Sequence, residues 1–388
     1  MPSSMLRLLC LSVLSTSCRC LTKEAWKKLR ERRETLLNAS IAPSYCTENA
    51  TEELQRAQVV APSSLLQIAV LQHTHTLLSL PGIRVARQQL SQWFHPRIKF
   101  EHHVALWSSD GRCEQLLEGV RQHVDNVRSC VNTTALAYSY AGLADSINTF
   151  WRTGHRANFN SFTDKGFAYN NCDAAVIWWY DQVLTQSQKE QYGYFWLMEW
   201  DVVWTGDLAM LLASFHGVPP SPSVCSKNGC APVREDEWKP LSQDILCTDG
   251  PIEPRNTRIR GYAHIHTRNM TTFRQHECLR YCVPALQRVT GRVLAAVAKR
   301  TRQSAWSIYC EMRAPTVCLS DIRGCTFANM RELASQGRFF NHNSSGNRLF
   351  TWDLVISNDT FSAVEREQRV GFFHRYKWAS VPPGFQIP

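Results

Sequence analysis

Motifs that define a chemistry at sight are missing from this sequence. There is no Gly-any-Ser-any-Gly elbow, no phosphate loop and no Cys-any-any-Cys pair. The one His-Glu start of a zinc-protease pattern, His276-Glu277, meets Arg280 where the second histidine belongs. A serine hydrolase, a nucleotide-triphosphate motor and a cysteine-held zinc module therefore lack their signatures. Internal repeats and low-complexity tracts are absent too, which argues against a solenoid or a disordered tail. No basic patch interleaved with aromatics marks a nucleic-acid surface, so no nucleic-acid partner is expected. Near the start, the apolar run that includes Leu8, Leu9, Leu11, Val13 and Leu14 is shorter than the roughly 17 to 25 residues a helical membrane span needs. No stable transmembrane anchor is expected.

What is there points to the secretory pathway. Arg7, the short apolar run and the small residues Ser15 to Ser17 form the pattern of a signal peptide over residues 1–20. Of the 15 cysteines, Cys10, Cys18 and Cys20 fall in that segment, and an even number suited to disulfides is left. Sequons at Asn38, Asn49, Asn132, Asn269, Asn343 and Asn358 agree with a lumenal or secreted protein of the endoplasmic reticulum and Golgi route. The balance of 43 Lys+Arg against 33 Asp+Glu gives a formal charge of +10, which draws anions such as nucleotide phosphates and acidic glycans. A hydrophobic content of 44% over 388 residues is enough for a buried core.

Along the chain, residues 21–128 read as a helical N-terminal or stem region. Thr22 to Asn38 is charged with few apolar positions, and Leu65 to Leu80 fits a buried helix. His102-His103 reads as structural rather than as a metal site. The catalytic domain is expected over residues 129–388, with Ala135 to Tyr140, Ala174 to Trp179 and Tyr194 to Met198 as strands apolar on both faces, the pattern of a parallel α/β sheet. Asp207 stands where a helix N-cap belongs, ahead of Leu208 to Phe215. Cys225 and Cys230 sit in a proline-bearing loop over Val218 to Lys239. Arg274 to Arg302 has near-helical apolar spacing, with Pro284 at its start or at a kink.

The most informative segment runs from Tyr194 through Phe195, Trp196, Leu197 and Met198 to Glu199, Trp200 and Asp201. On a strand, residues i and i+2 share a face, so Glu199 and Asp201 can converge as hard oxygen ligands for a divalent cation. A strand edge with two solvated carboxylates is the plain alternative. A glycosidase needs carboxylates roughly 5 to 9.5 Å apart, usually from separate strands, and this spacing fits it less well.

This acidic strand end resembles the Asp-any-Asp motif, in a Glu-any-Asp variant, of the GT-A-fold nucleotide-diphospho-sugar glycosyltransferases. The likeness extends loosely from Thr134 to Lys377 and is close only at the strand and its acidic end. It implies an α/β, GT-A-like Rossmann-type sheet, mixed and mostly parallel, flanked by helices. It further implies a nucleotide-sugar donor, a glycan or glycoprotein acceptor, and manganese or magnesium held by Glu199 and Asp201, with Asp201 the direct ligand and Glu199 on the metal or the ribose. His374 resembles the late histidine that completes the metal site in several members, and Lys377 the lysine that meets the diphosphate; imidazole favours manganese. By the same resemblance Asp145 and Asp173 fall in regions that contact the donor. Glu311, in Cys310-Glu311-Met312-Arg313, is the candidate general base, or else the partner of Arg313 in an ion pair; Asp321 is a weaker candidate. Trp178, Trp179, Trp196, Trp200 and Trp204 either stack on sugars or fill the core. A secreted, non-catalytic glycan-binding protein is the alternative to the enzyme.

Overall fold

The computed structural model describes residues 65–108, 112–124, 127, 129–132, 172–204, 207–218, 223–226, 229–232, 240–248, 280–282, 285–303, 310–330, 350–351 and 372–373. In chain order these form β1 (Leu66–Thr74), α1 (Leu80–Gln92), β2 (Ile98–Ser108), α2 (Cys113–Arg121), β3 (Cys130–Asn132) and α3 (Ala174–Trp178), which continues as a π-helical turn, Trp179–Val183. Next come α4 (Gln186–Gln191), β4 (Tyr192–Glu199), β5 (Val203–Trp204), α5 (Leu208–Ser214), β6 (Ser223–Ser226), β7 (Gly229–Pro232), β8 (Ile245–Cys247), β9 (Leu286–Thr290), α6 (Gly291–Gln303), α7 (Cys310–Asp321), β10 (Phe327–Asn329), β11 (Phe350–Thr351) and β12 (Phe372–Phe373).

Seven strands make one mixed, mostly parallel sheet in the order β10-β8-β9-β4-β1-β2-β3, with β9 antiparallel to both of its neighbours. The stretch β3-β2-β1-β4 has the strand order of half a doubly wound fold, with sites expected beyond the carboxyl ends of its strands. Alternate residues of the central strands enter two cores. Ala69, Leu71, Phe195 and Leu197 pack against α3, α6 and α7. On the other face Ile68, Val70, Trp196 and Met198 pack against α1 and α5. Burial on both faces explains why β1 and β4 read as continuous apolar runs rather than alternating ones.

Four expectations change here. Leu66–Thr74 is a central strand, not part of a helix: six residues of a two-sided strand and of a buried helix carry the same apolar signal, and periodicity alone does not separate them. β1 and β2 lie before residue 128 and β4 after it, so the sheet draws on both sides of the expected 128/129 boundary. Ala174–Trp178 is helical, as the crossover between the parallel strands β3 and β4 requires, and not a strand. Arg274–Arg302 divides into the short strand β9 and helix α6, which meet at Thr290–Gly291.

Two expectations hold. Tyr194–Met198 lies within β4, and the Asp207 carboxylate caps α5 by accepting the Met210 amide at 3.1 Å. Within Val218–Lys239, β6 and β7 form an antiparallel hairpin that sets Cys225 opposite Cys230. Disulfides join Cys113 to Cys130, Cys172 to Cys310, Cys247 to Cys282 and Cys318 to Cys325. Among the described residues no helix is long and apolar enough to cross a membrane. The expected signal peptide, the charged Thr22–Asn38 segment and the Ala135–Tyr140 strand lie outside the described residues.

Candidate active site

β4 carries five bulky residues into the core and releases Glu199 at its carboxyl end. The Glu199 amide donates to the Ala285 carbonyl at 3.0 Å, and its carbonyl accepts the Val202 amide at 3.3 Å, closing a turn. Trp200 and Asp201 occupy that turn. The pleat therefore orients Glu199 but stops before Asp201, whose approach to Glu199 depends on the turn and not on strand alternation. Both acids are half-buried, and Oδ1 of Asp201 is shielded from solvent.

Glu199 shares its face with Phe195 and Leu197, and His73 of β1 shares that face with Ala69 and Leu71. The two are in register across the β1–β4 pairing. Burial lowers the His73 pKa and the Glu199 charge opposes that shift, so the imidazole is held neutral beside a carboxylate. Next to it, Gln72 and Thr74 are fully buried. Thr74 is satisfied within its turn, its hydroxyl 2.9 Å from that of Ser79 and accepting the Thr76 amide at 3.1 Å. Both amide atoms of Gln72 and Nδ1 of His73 have no hydrogen-bond partner among the described residues. Buried polar groups are rarely left so, and here they sit at the end of the sheet where ligands bind. Residue spacing does not single out this strand end. Its signal was the change from Ile68-Ala69-Val70-Leu71 to Gln72-His73-Thr74-His75-Thr76, the same apolar-to-polar step that marks Met198-Glu199. His75 contributes an aromatic edge, its ring centroid 4.5 Å from Trp107 and 5.4 Å from Trp200.

Glu311 lies in the first turn of α7 and is half-buried. Pro315, four residues on, has no N–H to give the Glu311 carbonyl, and the Cys282 amide takes its place at 3.0 Å. Cys282 is three residues before Ala285, whose carbonyl holds the Glu199 amide. The start of α7 is thus tied through one short segment to the carboxyl end of β4. Arg313 is 1% exposed and donates to Asp173. Arg313 therefore pairs with Asp173, and with the carboxylate drawn to Arg313, Asp173 makes no side-chain cap for α3. Burial raises the Asp173 pKa, and the Arg313 charge opposes it. The Cys172–Cys310 disulfide pins the same two segments together. Asp321 ends α7 roughly 15 Å from Glu311 at 1.5 Å per residue, and it accepts the Ser320 hydroxyl at 2.6 Å.

Asp145, His374 and Lys377 lie outside the described residues. The residue before His374 is placed: Phe373 pairs with Val203 in the antiparallel β12–β5 ladder, two positions past Asp201. Among the described residues no three His, Cys, Asp or Glu side chains gather as a metal site. His102 and His103 alternate along β2 and so start from opposite faces of the sheet, and His103 Nε2 lies 3.1 Å from the Tyr192 hydroxyl. Trp179, Trp196 and Trp204 are buried in the cores, whereas Trp178 and Trp200 are half-buried.

No family model matches the chain, and no curated protein does. Several solved structures match, among them the apo form of WbbM, a bifunctional glycosyltransferase. It is 12% identical, with a TM-score of 0.26, over 71% of this chain and 41% of that one. The chain therefore spans less than half of that protein's length.

Proposed function

We propose that this protein is a metal-dependent glycosyltransferase of the secretory pathway, moving a sugar from a nucleotide-diphospho-sugar to a glycan or glycoprotein acceptor. The observation that carries the reading is the acidic end of β4, where Glu199 lies in register with buried His73 at the carboxyl ends of the central parallel strands and Asp201 follows in the turn. Four disulfides among the described residues support an oxidising compartment.

In this reading Asp201 and Glu199 hold a manganese or magnesium ion, with His374 as a third ligand. Two carboxylates and an imidazole suit manganese, although the described residues alone make no set of three. Bound there, such an ion would supply positive charge against a leaving diphosphate. Neutral His73 keeps a ring nitrogen available for hydrogen bonding next to Glu199. Asp145, Asp173 and Lys377 belong to the donor pocket, with Asp173 fixed by Arg313. Glu311, held by its carbonyl to Cys282, takes the proton of the acceptor hydroxyl.

Binding of a nucleoside diphosphate tests the proposal. Binding by the full chain that appears with manganese and disappears with chelator is expected; glycan binding that ignores both nucleotide and metal contradicts it and fits a lectin instead.

A further inference from the structure

A cleft of about 660 Å³ opens along the amino-terminal half of β2, between Arg87 of α1 and the Trp178-Trp179 segment. It is separate from the site above: His102, on its wall, pairs with Val70, four residues and roughly 13 Å before the end of β1. The cleft exists because β3 covers only Leu106–Ser108, so no described strand pairs with the β2 edge from Lys99 to Ala105.

The polar groups in the cleft are unequally satisfied. Glu101 accepts the Tyr192 hydroxyl at 2.5 Å and the Lys99 ammonium at 3.0 Å. Burial pushes its carboxyl up, and these bonds more than offset that, leaving it below the usual range. His103 is engaged by the same tyrosine. The two ring nitrogens of His102 are buried without a partner among the described residues. Ion pairs among the described residues join Lys99 to Glu101, Arg292 to Asp244, Arg302 to Asp181 and Arg313 to Asp173, and none takes up Arg87. The acid of the cleft is neutralised and its arginine is not. An arginine outside every described ion pair and a buried imidazole with neither nitrogen bonded line one cavity, and with half-buried Trp178 on the same wall they match an anion carried on a ring with one apolar face. The volume is that of a small-molecule site.

We infer that this cleft binds an acidic sugar, with Arg87 and His102 on its carboxylate or sulfate and Trp178 against its ring. The inference goes beyond the proposed transferase and does not need it. The test uses the full chain without nucleotide or metal and titrates methyl glucuronide, glucose 6-sulfate and neutral methyl glucoside, followed by calorimetry or saturation-transfer NMR. At least one acidic sugar is expected to bind no less than tenfold more tightly than the neutral one, and which one does identifies the anion. Arg87→Gln and His102→Phe are each expected to weaken that binding tenfold or more, with Arg87→Gln keeping its thermal unfolding midpoint as proof of fold. Failure of both acidic sugars to bind, equal binding of methyl glucoside, or full affinity in Arg87→Gln overturns the inference. Manganese-dependent nucleotide binding is measured separately, so loss of one result leaves the other standing.

Discussion

His73 and Glu199 stand side by side at the carboxyl ends of β1 and β4, and the Glu199 charge opposes the drop in pKa that burial imposes on the imidazole. Removing the charge should let burial act alone. In Glu199→Gln the His73 resonance, followed by NMR, is expected to titrate at lower pH than in the wild type. An unchanged or higher titration point means the two side chains do not interact.

Asp173 and Arg313 predict a stability effect. Arg313 is 1% exposed, so Asp173→Asn takes the charge from a hydrogen-bond partner of a buried guanidinium, at a cost of roughly 1.5 to 3 kcal/mol in urea unfolding. The double variant Asp173→Leu with Arg313→Met should recover most of that loss. A single variant as stable as wild type would show that the pair carries little weight.

Stability should fall in acid because of the β2 histidines. Burial lowers His102 to about 3 and His103 to about 4, whereas in the unfolded chain both titrate near 6.5. Between those values the unfolded state binds more protons, so each contribution is complete above pH 6.5 and is lost as pH falls towards the folded value. For His102 the loss at pH 5 is about 2 kcal/mol, at 1.36 kcal/mol per pH unit. Unfolding free energies at pH 7.5 and pH 5 should differ less in His102→Phe than in wild type; an equal difference contradicts the assignment.

Glu311 should matter to turnover and not to donor binding. A general base contributes roughly 10² to 10⁴ in rate, so Glu311→Gln is expected to lower kcat by that order while metal-dependent nucleotide binding stays within twofold. A kcat within threefold of wild type would return Glu311 to a purely structural role at the start of α7.

Much of this was legible where local chemistry acts alone. Tyr194 to Glu199 announced a two-sided strand with an acidic end, and Asp207 its helix cap, because strand burial and capping both depend on residues next to one another. Leu66 to Leu71 was misread, since a short run apolar on every side fits a central strand and a buried helix equally. What decides it is β2 and β4 on either side, pairings that no local pattern encodes. The helix at Ala174–Trp178 was missed for the same reason. Of the candidate site, Glu199 could be placed from strand spacing, whereas Asp201 lies in the turn beyond the strand. Gln72 and His73 could not, because their significance lies in being buried without partners. Nor could the Glu311–Cys282 link, which depends on Pro315 leaving a carbonyl open to a segment far away in sequence.

The central claim is that Asp201 and Glu199 grip a cation against a donor diphosphate. The most direct measurement is a thermal-shift screen of nucleotide sugars with manganese on wild type and Asp201→Ala. The account predicts stabilisation of the wild type by at least one donor, dependent on manganese and absent in Asp201→Ala. Stabilisation that survives the substitution, or that needs no metal, would contradict it.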